Sequence, residues 1–379
     1  MIIGLYHPVV GGAEKICLAL SKSLSERGIP VAVLTQRLNG VPDYDVIDGI
    51  PVHRKMKWWH PFGMAYMLSV LIFLVRYRRR YDIIHCFGLF LFLPPALLMK
   101  YVFKKKVVLR LLCSGPYGDF AGIEKLKLAR WILGSAQRTD RIIYMSRDMK
   151  DELLEHRFSE EKLINIANGV DSRHFKPPAD PHAMTGNTIC FVGRLETQKG
   201  LSYLLRACAK IIQDGCNAKL LVVGAGRQKE LLEDLSKHLG IDEHVIFTGF
   251  AEDALPYYQQ ARLFVLPSLS EGMSSALLEA MSCGLAVIAT GIGASDELIG
   301  AGLGEKGLSR GQYRVAARGI VVNPHDEKGL SEALGMLIRD AKLSKLLGGR
   351  ARDFVMKSYS HESMVSAYQD LYNSVCKTI

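Results

Sequence analysis

Two carboxylates and two cations stand out by their spacing. Glu271 and Glu279 lie eight positions apart in a segment that reads Glu271-Gly272-Met273-Ser274-Ser275, then Glu279-Ala280 and Gly284. The segment follows an apolar run at 263–267, so the glycine and serines open a helix and offer N–H donors to an anion or a sugar oxygen. Glu279 then sits about two helical turns along. Carboxylates so separated cannot share one proton, but they can grip two ends of an extended ligand through its hydroxyls. The cations are Arg194 and Lys199, in Gly193-Arg194-Leu195-Glu196-Thr197-Gln198-Lys199-Gly200. That stretch joins an apolar run at 188–192 to a helix predicted to begin near Leu201. Backbone N–H groups at a helix start, a planar guanidinium fork and a mobile ammonium suit a diphosphate. A charged surface turn is the alternative, and two cations on one strand-to-helix turn favour the phosphate. A third cluster, Gly11-Gly12-Ala13-Glu14, permits close backbone approach. Neither it nor Gly224-Ala225-Gly226 completes G-x-G-x-x-G, and no P-loop is present, so a nicotinamide site has little support.

These residues need a scaffold, and the hydropathy pattern supplies one. Short apolar runs alternate with amphipathic helices, the pattern of an α/β fold with largely parallel sheets. Buried strands are predicted at 2–6, 31–35, 83–86, 107–112 and 141–145, and again at 188–192 and 219–223. Ala13, Ile16, Cys17, Leu20 and Leu24 fall at helical spacing between the first two. Leu201, Leu204, Leu205, Cys208, Ile211 and Ile212 do so in the second half. The strand–helix–strand unit restarts after the proline-rich stretch at 176–181, which can continue neither a helix nor a central strand. A chain of 379 residues is long enough for two or three domains. Two doubly wound domains, 1–175 and 176–359, are the economical reading. Ligands of such sheets sit beyond the carboxyl ends of the strands, so the natural site is a cleft between the two.

Composition narrows the function classes. Hydrophobic content of 49% and charged content of 23% are those of a globular chain, not a disordered or coiled-coil one. No run reaches the roughly 18 apolar residues of a spanning helix; 62–75 and 87–99 are the nearest. Eight scattered cysteines form no C-x-x-C pair, so they read as reduced core residues rather than zinc ligands. With no signal peptide visible, the expected location is cytoplasmic, including the inner face of the plasma membrane. The net charge of +10 is uneven. Residues 1–175 hold 26 Lys and Arg against 16 Asp and Glu, whereas 176–379 hold 22 of each. The excess clusters at Arg76-Tyr77-Arg78-Arg79-Arg80, at Lys104-Lys105-Lys106, and at Arg54, Lys55 and Lys57 ahead of Trp58 and Trp59. These clusters read equally as a solvated face or as a surface for an anionic membrane. No nucleic-acid-binding motif accompanies them, so nucleic acid is the weaker partner.

Taken in order, the motifs resemble those of glycosyltransferase family 4, and the match covers nearly the whole chain. The E-x7-E signature falls at Glu271 and Glu279, the G-R-x-x-x-x-K-G loop at Gly193–Gly200, N-G-V-D at Asn168-Gly169-Val170-Asp171, and the glycine pair at Gly11-Gly12. The resemblance implies the GT-B fold: two Rossmann-like doubly wound domains facing across a cleft. It implies an acceptor-binding first domain, a donor-binding second domain, and a C-terminal helix at 360–379 that returns to the first. The activity implied is retaining transfer from a nucleotide-diphosphate sugar, used as substrate, with neither metal nor other cofactor. Arg194 and Lys199 would hold the diphosphate, Glu271 the donor sugar, and Glu279 the ribose hydroxyls. Gly193, Gly224, Gly272, Met273 and Ser274 would complete the donor side, with Gly12 approaching the diphosphate from the other domain.

Three departures are informative. D-x-x-H-x-H is represented by Asp82-Ile83-Ile84-His85-Cys86-Phe87, where Phe87 replaces the second histidine. His85 therefore reads equally as a structural or an active-site residue. Asp119, in Ser114-Gly115-Pro116-Tyr117-Gly118-Asp119, is a candidate acceptor-side carboxylate. Asp43-Tyr44-Asp45 imitates a metal-binding D-x-D but is expected in a solvated loop. The resulting expectation is a UDP- or GDP-sugar glycosyltransferase acting on a glycan or lipid-linked acceptor in glycolipid or cell-surface polysaccharide synthesis. A nucleotide-sugar epimerase and an inactive sugar- or partner-binding module are the competing readings.

Overall fold

Parallel β-sheets dominate the computed structural model, which describes residues 1–9, 11–57, 63–180, 184, 186–302 and 308–377. Trp58 and Trp59, which the charge pattern brought to notice, lie outside the described residues, as does Pro181. Two compact units are present, Met1–Ala167 with Met364–Ile379, and Asn168–Ser363. The division falls at Ala167/Asn168, ahead of the 175/176 boundary that the proline-rich stretch suggests. Asn168 already belongs to the second unit because its side-chain amide and its backbone N–H both bond Met273.

The first unit contains strands β1 (Ile2–Ile3), β2 (Val33–Gln36), β3 (Tyr44–Ile47), β4 (Ile50–Met56), β5 (Ile83–Phe87), β6 (Lys106–Arg110), β7 (Arg141–Tyr144) and β8 (Leu163–Asn165). Their order in the sheet is β3-β4-β2-β1-β5-β6-β7-β8, parallel except for β3 against β4. The order reverses between β1 and β5. Helices α1 (Gly12–Glu26), α2 (Met64–Arg76), α3 (Leu93–Phe103), α4 (Asp119–Glu124), α5 (Ala129–Ala136) and α6 (Arg147–Glu155) form the crossovers and their approaches. The expected solvated loop at Asp43-Tyr44-Asp45 is corrected: Tyr44 and Asp45 lie in β3, and Asp43 pairs with Arg37 at 2.9 Å and Lys55 at 3.0 Å. The strand expected at 107–112 stops at Arg110, because the N–H groups of Leu112 and Cys113 leave the ladder to donate to Asp119.

In the second unit the strands are β9 (Thr188–Val192), β10 (Lys219–Val223), β11 (Val245–Gly249), β12 (Leu263–Leu266), β13 (Ala286–Thr290), β14 (Tyr313–Val315) and β15 (Ile320–Val322). They run β11-β10-β9-β12-β13-β15-β14, all parallel save the edge hairpin β14–β15. Here the order reverses between β9 and β12. The helices are α7 (Leu201–Gln213), α8 (Lys229–His238), α9 (Leu255–Gln260), α10 (Ser275–Ser282), α11 (Ser295–Ile299), α12 (Glu327–Arg339) and α13 (Ala341–Ser358). On α7, Leu201, Leu204, Leu205, Cys208 and Ile211 are buried at helical spacing and join Ile189, Val222, Leu263 and Ile288 in one core.

The last helix, α14 (His361–Lys377), is an amphipathic lid on the first unit's core. Met364, Val365, Tyr368, Leu371, Tyr372 and Val375 pack in one cluster with Ile16, Leu20, Phe87 and Val108. All eight cysteines are free thiols. No helix among the described residues is long and apolar enough to cross a membrane.

Candidate functional site

The crevice where the second sheet changes direction is built from the ends of β9 and β12, the position at which open α/β sheets take ligands. β9 runs straight into Gly193–Gly200, and β12 into Ser268–Ser274, so the two charged motifs are neighbours before any side chain is considered. The backbone then zips them together. Leu269 N–H donates to Gln198 O at 2.7 Å, and the Gln198 amide donates to Ser270 O at 3.1 Å. Gly200 has φ of +63°, and a Cβ there would stand 2.0 Å from the Pro267 carbonyl oxygen. Gly224, with φ of +147°, would put a Cβ 1.9 Å from the Gly193 oxygen. Both approaches require glycine.

This close packing sets Lys199 against Glu271. The Lys199 ammonium donates to Glu271 Oε1, and Ser268 Oγ donates to the same oxygen at 2.8 Å. Ser268 is itself held, since its carbonyl accepts from Thr290 Oγ1 at 2.7 Å. Only 8% of the Glu271 side chain is exposed, against 16% for Lys199. Arg194, five residues earlier on the same turn, is exposed beside the fully buried Leu195. The crevice therefore carries a cation open to solvent, a second cation bonded to a nearly buried carboxylate, and the amino end of a helix.

That helix is α10. Its first N–H groups need partners from outside the helix; Ser274 Oγ accepts from Leu277 N–H, and the turn Gly272-Met273-Ser274 leads in. The turn is fixed from behind, where Gly272 O accepts from Ala294 N–H at 2.8 Å and Met273 O from the Asn168 amide at 2.7 Å. Glu279, 7% exposed, faces Tyr258, whose hydroxyl donates to Oε2 at 2.8 Å. Burial, and next the Glu279 charge, push the Tyr258 phenol well above its usual value, so it stays a donor. Sequence reasoning missed Tyr258 and the anchoring role of Asn168. No spacing signal marks a tyrosine on α9 as the partner of a carboxylate on α10.

The first-unit candidates sit in different settings. His85 is fully enclosed on β5, its Nδ1 2.7 Å from the Tyr372 hydroxyl and its ring 4.5 Å from that of Phe87. Burial, together with the Arg110 charge, lowers its pKa well below 6.5, so the ring is neutral. Asp119 opens α4, and its carboxylate accepts from the backbone N–H groups of Leu89 (3.0 Å), Leu112 (2.6 Å) and Cys113 (3.0 Å). Burial pushes its carboxyl up, and those three bonds oppose the shift. It staples the loops that leave β5 and β6. Gly12 is the first residue of α1, behind the loop that starts at β1. That loop is held by Arg54, which is buried on β4 and donates to His7 O at 2.9 Å and Pro42 O at 3.1 Å. Among the described residues no cluster of His, Cys, Asp and Glu is arranged to hold a metal ion.

Residues 10–174 match the family described as Glycosyltransferase Family 4, and residues 186–340 the family described as Glycosyl transferases group 1. An uncharacterized glycosyltransferase of Methanocaldococcus jannaschii, MJ1607, is 26% identical across 98% of this chain and 97% of its own. The N-acetyl-alpha-D-glucosaminyl L-malate synthase of Bacillus anthracis is 24% identical, covering 98% and 96%. A GDP-mannose-dependent alpha-(1-6)-phosphatidylinositol monomannoside mannosyltransferase of Mycolicibacterium smegmatis is 25% identical over 66% of each chain. Among solved structures, Anabaena HepE in complex with UDP and glucose superposes with a TM-score of 0.78 at 18% identity, covering 98% of both chains.

Proposed function

The chain belongs to glycosyltransferase family 4 with the GT-B fold, and on that premise we propose that it is a retaining enzyme using a UDP- or GDP-sugar. The observation that carries this reading is the Lys199–Glu271 pair at the β9/β12 crevice, beside Arg194 and the start of α10. Arg194 and Lys199 bind the diphosphate and stabilise the charge that builds as it leaves. The N–H groups of Gly272 to Ser274 lie beside the donor, Glu271 orients the sugar, and Glu279, aligned by Tyr258, holds the ribose hydroxyls. The two cations neutralise the diphosphate in place of a metal ion.

Glu271 is engaged by Lys199 and Ser268, which suits it to positioning rather than to forming a covalent intermediate. The transfer is a front-face substitution. The acceptor oxygen bonds to the anomeric carbon, the bond from that carbon to the phosphate breaks, and the departing phosphate oxygen takes the acceptor's proton. The acceptor is lipid-linked or a polysaccharide precursor, met by the basic first unit at the inner face of the plasma membrane. The phosphatidylinositol mannoside acceptor and GDP-mannose donor of the mycobacterial relative support a lipid-linked reaction of this kind.

The test is turnover with a panel of UDP- and GDP-sugars and lipid-diphosphate or oligosaccharide acceptors, with the product's anomeric configuration read by NMR. Expected are an α-linked product from an α-donor, nucleotide release only when acceptor is present, and activity unaffected by EDTA. Inversion of configuration, or a requirement for a divalent cation, refutes the mechanism. An epimerised donor without transfer, or no turnover with any donor, refutes the function.

A further inference from the structure

The first unit carries a surface that its own fold leaves uncovered. The crossovers β4–α2–β5 and β5–α3–β6 progress in the same direction across the sheet, so the right-handed rule places α2 and α3 on the same face. They pack side by side there. α2 buries Tyr66, Met67, Val70 and Leu74, and α3 buries Leu93, Ala96 and Met99. Their outer faces are also apolar. Met64, Leu68 and Ile72 recur every fourth residue on α2, and Leu98, Tyr101 and Val102 follow at helical spacing on α3. These six side chains are between 46% and 62% exposed. Single exposed apolar residues are ordinary, but two contiguous stripes on neighbouring helices are not.

Within the segment that forms the two helices and their ends the charge is nearly all of one sign, although Asp140 from outside it pairs with Lys100 at 3.0 Å. Residues 64–106 contain eight Lys and Arg and a single acidic residue, Asp82, which pairs with Lys105. The basic residues gather where both helices end, and the two ends are tied together. The Arg78 guanidinium lies 5.5 Å over the Phe103 ring, and the Lys105 ammonium bonds the Tyr81 carbonyl. Arg76, Arg79, Arg80 and Lys104 remain exposed around this junction. Apolar outer stripes with a cationic rim match the depth profile of an anionic lipid surface: headgroup charge outside, acyl chains beneath.

We propose that the outer face of α2 and α3 docks on an anionic lipid bilayer, with the two stripes entering the interfacial zone and the Arg76–Arg80 and Lys104 cluster binding lipid headgroups. The proposal gives the peripheral-membrane part of the functional reading a definite surface and rests on that part alone. It is measured without donor or acceptor, so failed docking and failed sugar transfer are separate results.

The purified full chain is sedimented with phosphatidylcholine vesicles, with and without phosphatidylglycerol, at low and high salt. Wild type partitions onto the anionic vesicles and much less onto the neutral ones. R76Q/R79Q/R80Q lowers the anionic partition coefficient about 100-fold, at roughly fivefold per charge removed. L68Q/I72Q removes the part of the binding that survives high salt. Both variants replace exposed side chains, and an unchanged circular-dichroism melting curve shows that the fold is intact. Equal partition onto neutral and anionic vesicles, or wild-type binding by either variant, overturns the proposal. So does a self-associated form that L68Q/I72Q dissolves without any vesicle binding, which would assign the face to a second copy of the chain.

Discussion

Removing the Lys199 side chain isolates the contact on which the donor site turns. Lys199→Met keeps the aliphatic length and takes away the ammonium. Glu271 is then a carboxylate with an 8% exposed side chain that has lost the Lys199 ammonium and keeps the Ser268 hydroxyl. Removing one partner of a nearly buried ion pair costs about 3–5 kcal/mol. The reverse change is milder. In Glu271→Gln, the side chain keeps the Ser268 bond, and Lys199 can extend its flexible stem to water, for a cost of about 1 kcal/mol. The double variant should resemble Glu271→Gln, so the two costs are far from additive. The coupling is therefore about 3–5 kcal/mol, the whole cost of Lys199→Met. The assay is unfolding of the four ligand-free proteins, followed through the transition of the second unit. For a unit of this size each kcal/mol moves the melting point by about 2–4 °C, so Lys199→Met should melt at least about 6 °C below wild type. A Lys199→Met protein as stable as wild type refutes the reasoning, and so does a double variant destabilised by the sum of the single effects.

Tyr258→Phe removes the hydroxyl that orients Glu279 and should cost about 1–3 kcal/mol of stability; calorimetry should also show weaker nucleotide affinity, and unchanged affinity would disconnect Glu279 from the ribose. Gly224→Ala places a methyl group 1.9 Å from the Gly193 oxygen, so the loop must move, and both stability and transfer should fall; an active, fully stable variant contradicts the geometry. Stability should also fall in acid because of His85. Its pKa is lowered in the folded state, so the unfolded chain binds the extra proton below about pH 6.5. Its contribution is complete above that value and declines by up to about 1.4 kcal/mol per pH unit below it. Denaturant titrations of wild type and His85→Gln between pH 7 and 5 should show the variant with the shallower decline. Parallel curves would mean that His85 is not buried neutral.

The sequence is most transparent where a strand is buried on both faces and followed by an amphipathic helix. Thr188–Val192, Lys219–Val223 and the start of α7 at Leu201 all lie where the hydropathy pattern puts them. The stripe of α7 is the stripe that the core receives. Strand ends are less legible because local contacts decide them. β6 gives up Leu112 and Cys113 to the Asp119 carboxylate, and β1 closes after Ile3, short of the predicted residue 6. The polar Asp43-Tyr44-Asp45 stretch looks like a loop because β3 is a sheet-edge strand whose sides are mostly wet. In the site, the charged residues announce themselves by type and spacing, whereas their supports do not. Tyr258, Asn168, Ser268 and Arg54 act through contacts that only the folded chain creates. His85 shows the limit of a motif: the strand position agrees with the pattern, but Tyr372 on the last helix encloses the ring.

The central claim is that Gly193–Gly200 and the start of α10 form a nucleoside-diphosphate site. The most direct measurement is thermal unfolding of wild type and Arg194→Ala with UDP, GDP, ADP and CMP. A ligand at a hundred times its dissociation constant adds about 2.7 kcal/mol, and Arg194 is exposed, so its loss should leave the ligand-free transition in place. The account predicts that UDP or GDP raises the melting point of wild type and that the shift disappears in Arg194→Ala. No shift with UDP or GDP, or an equal shift in the variant, would contradict it.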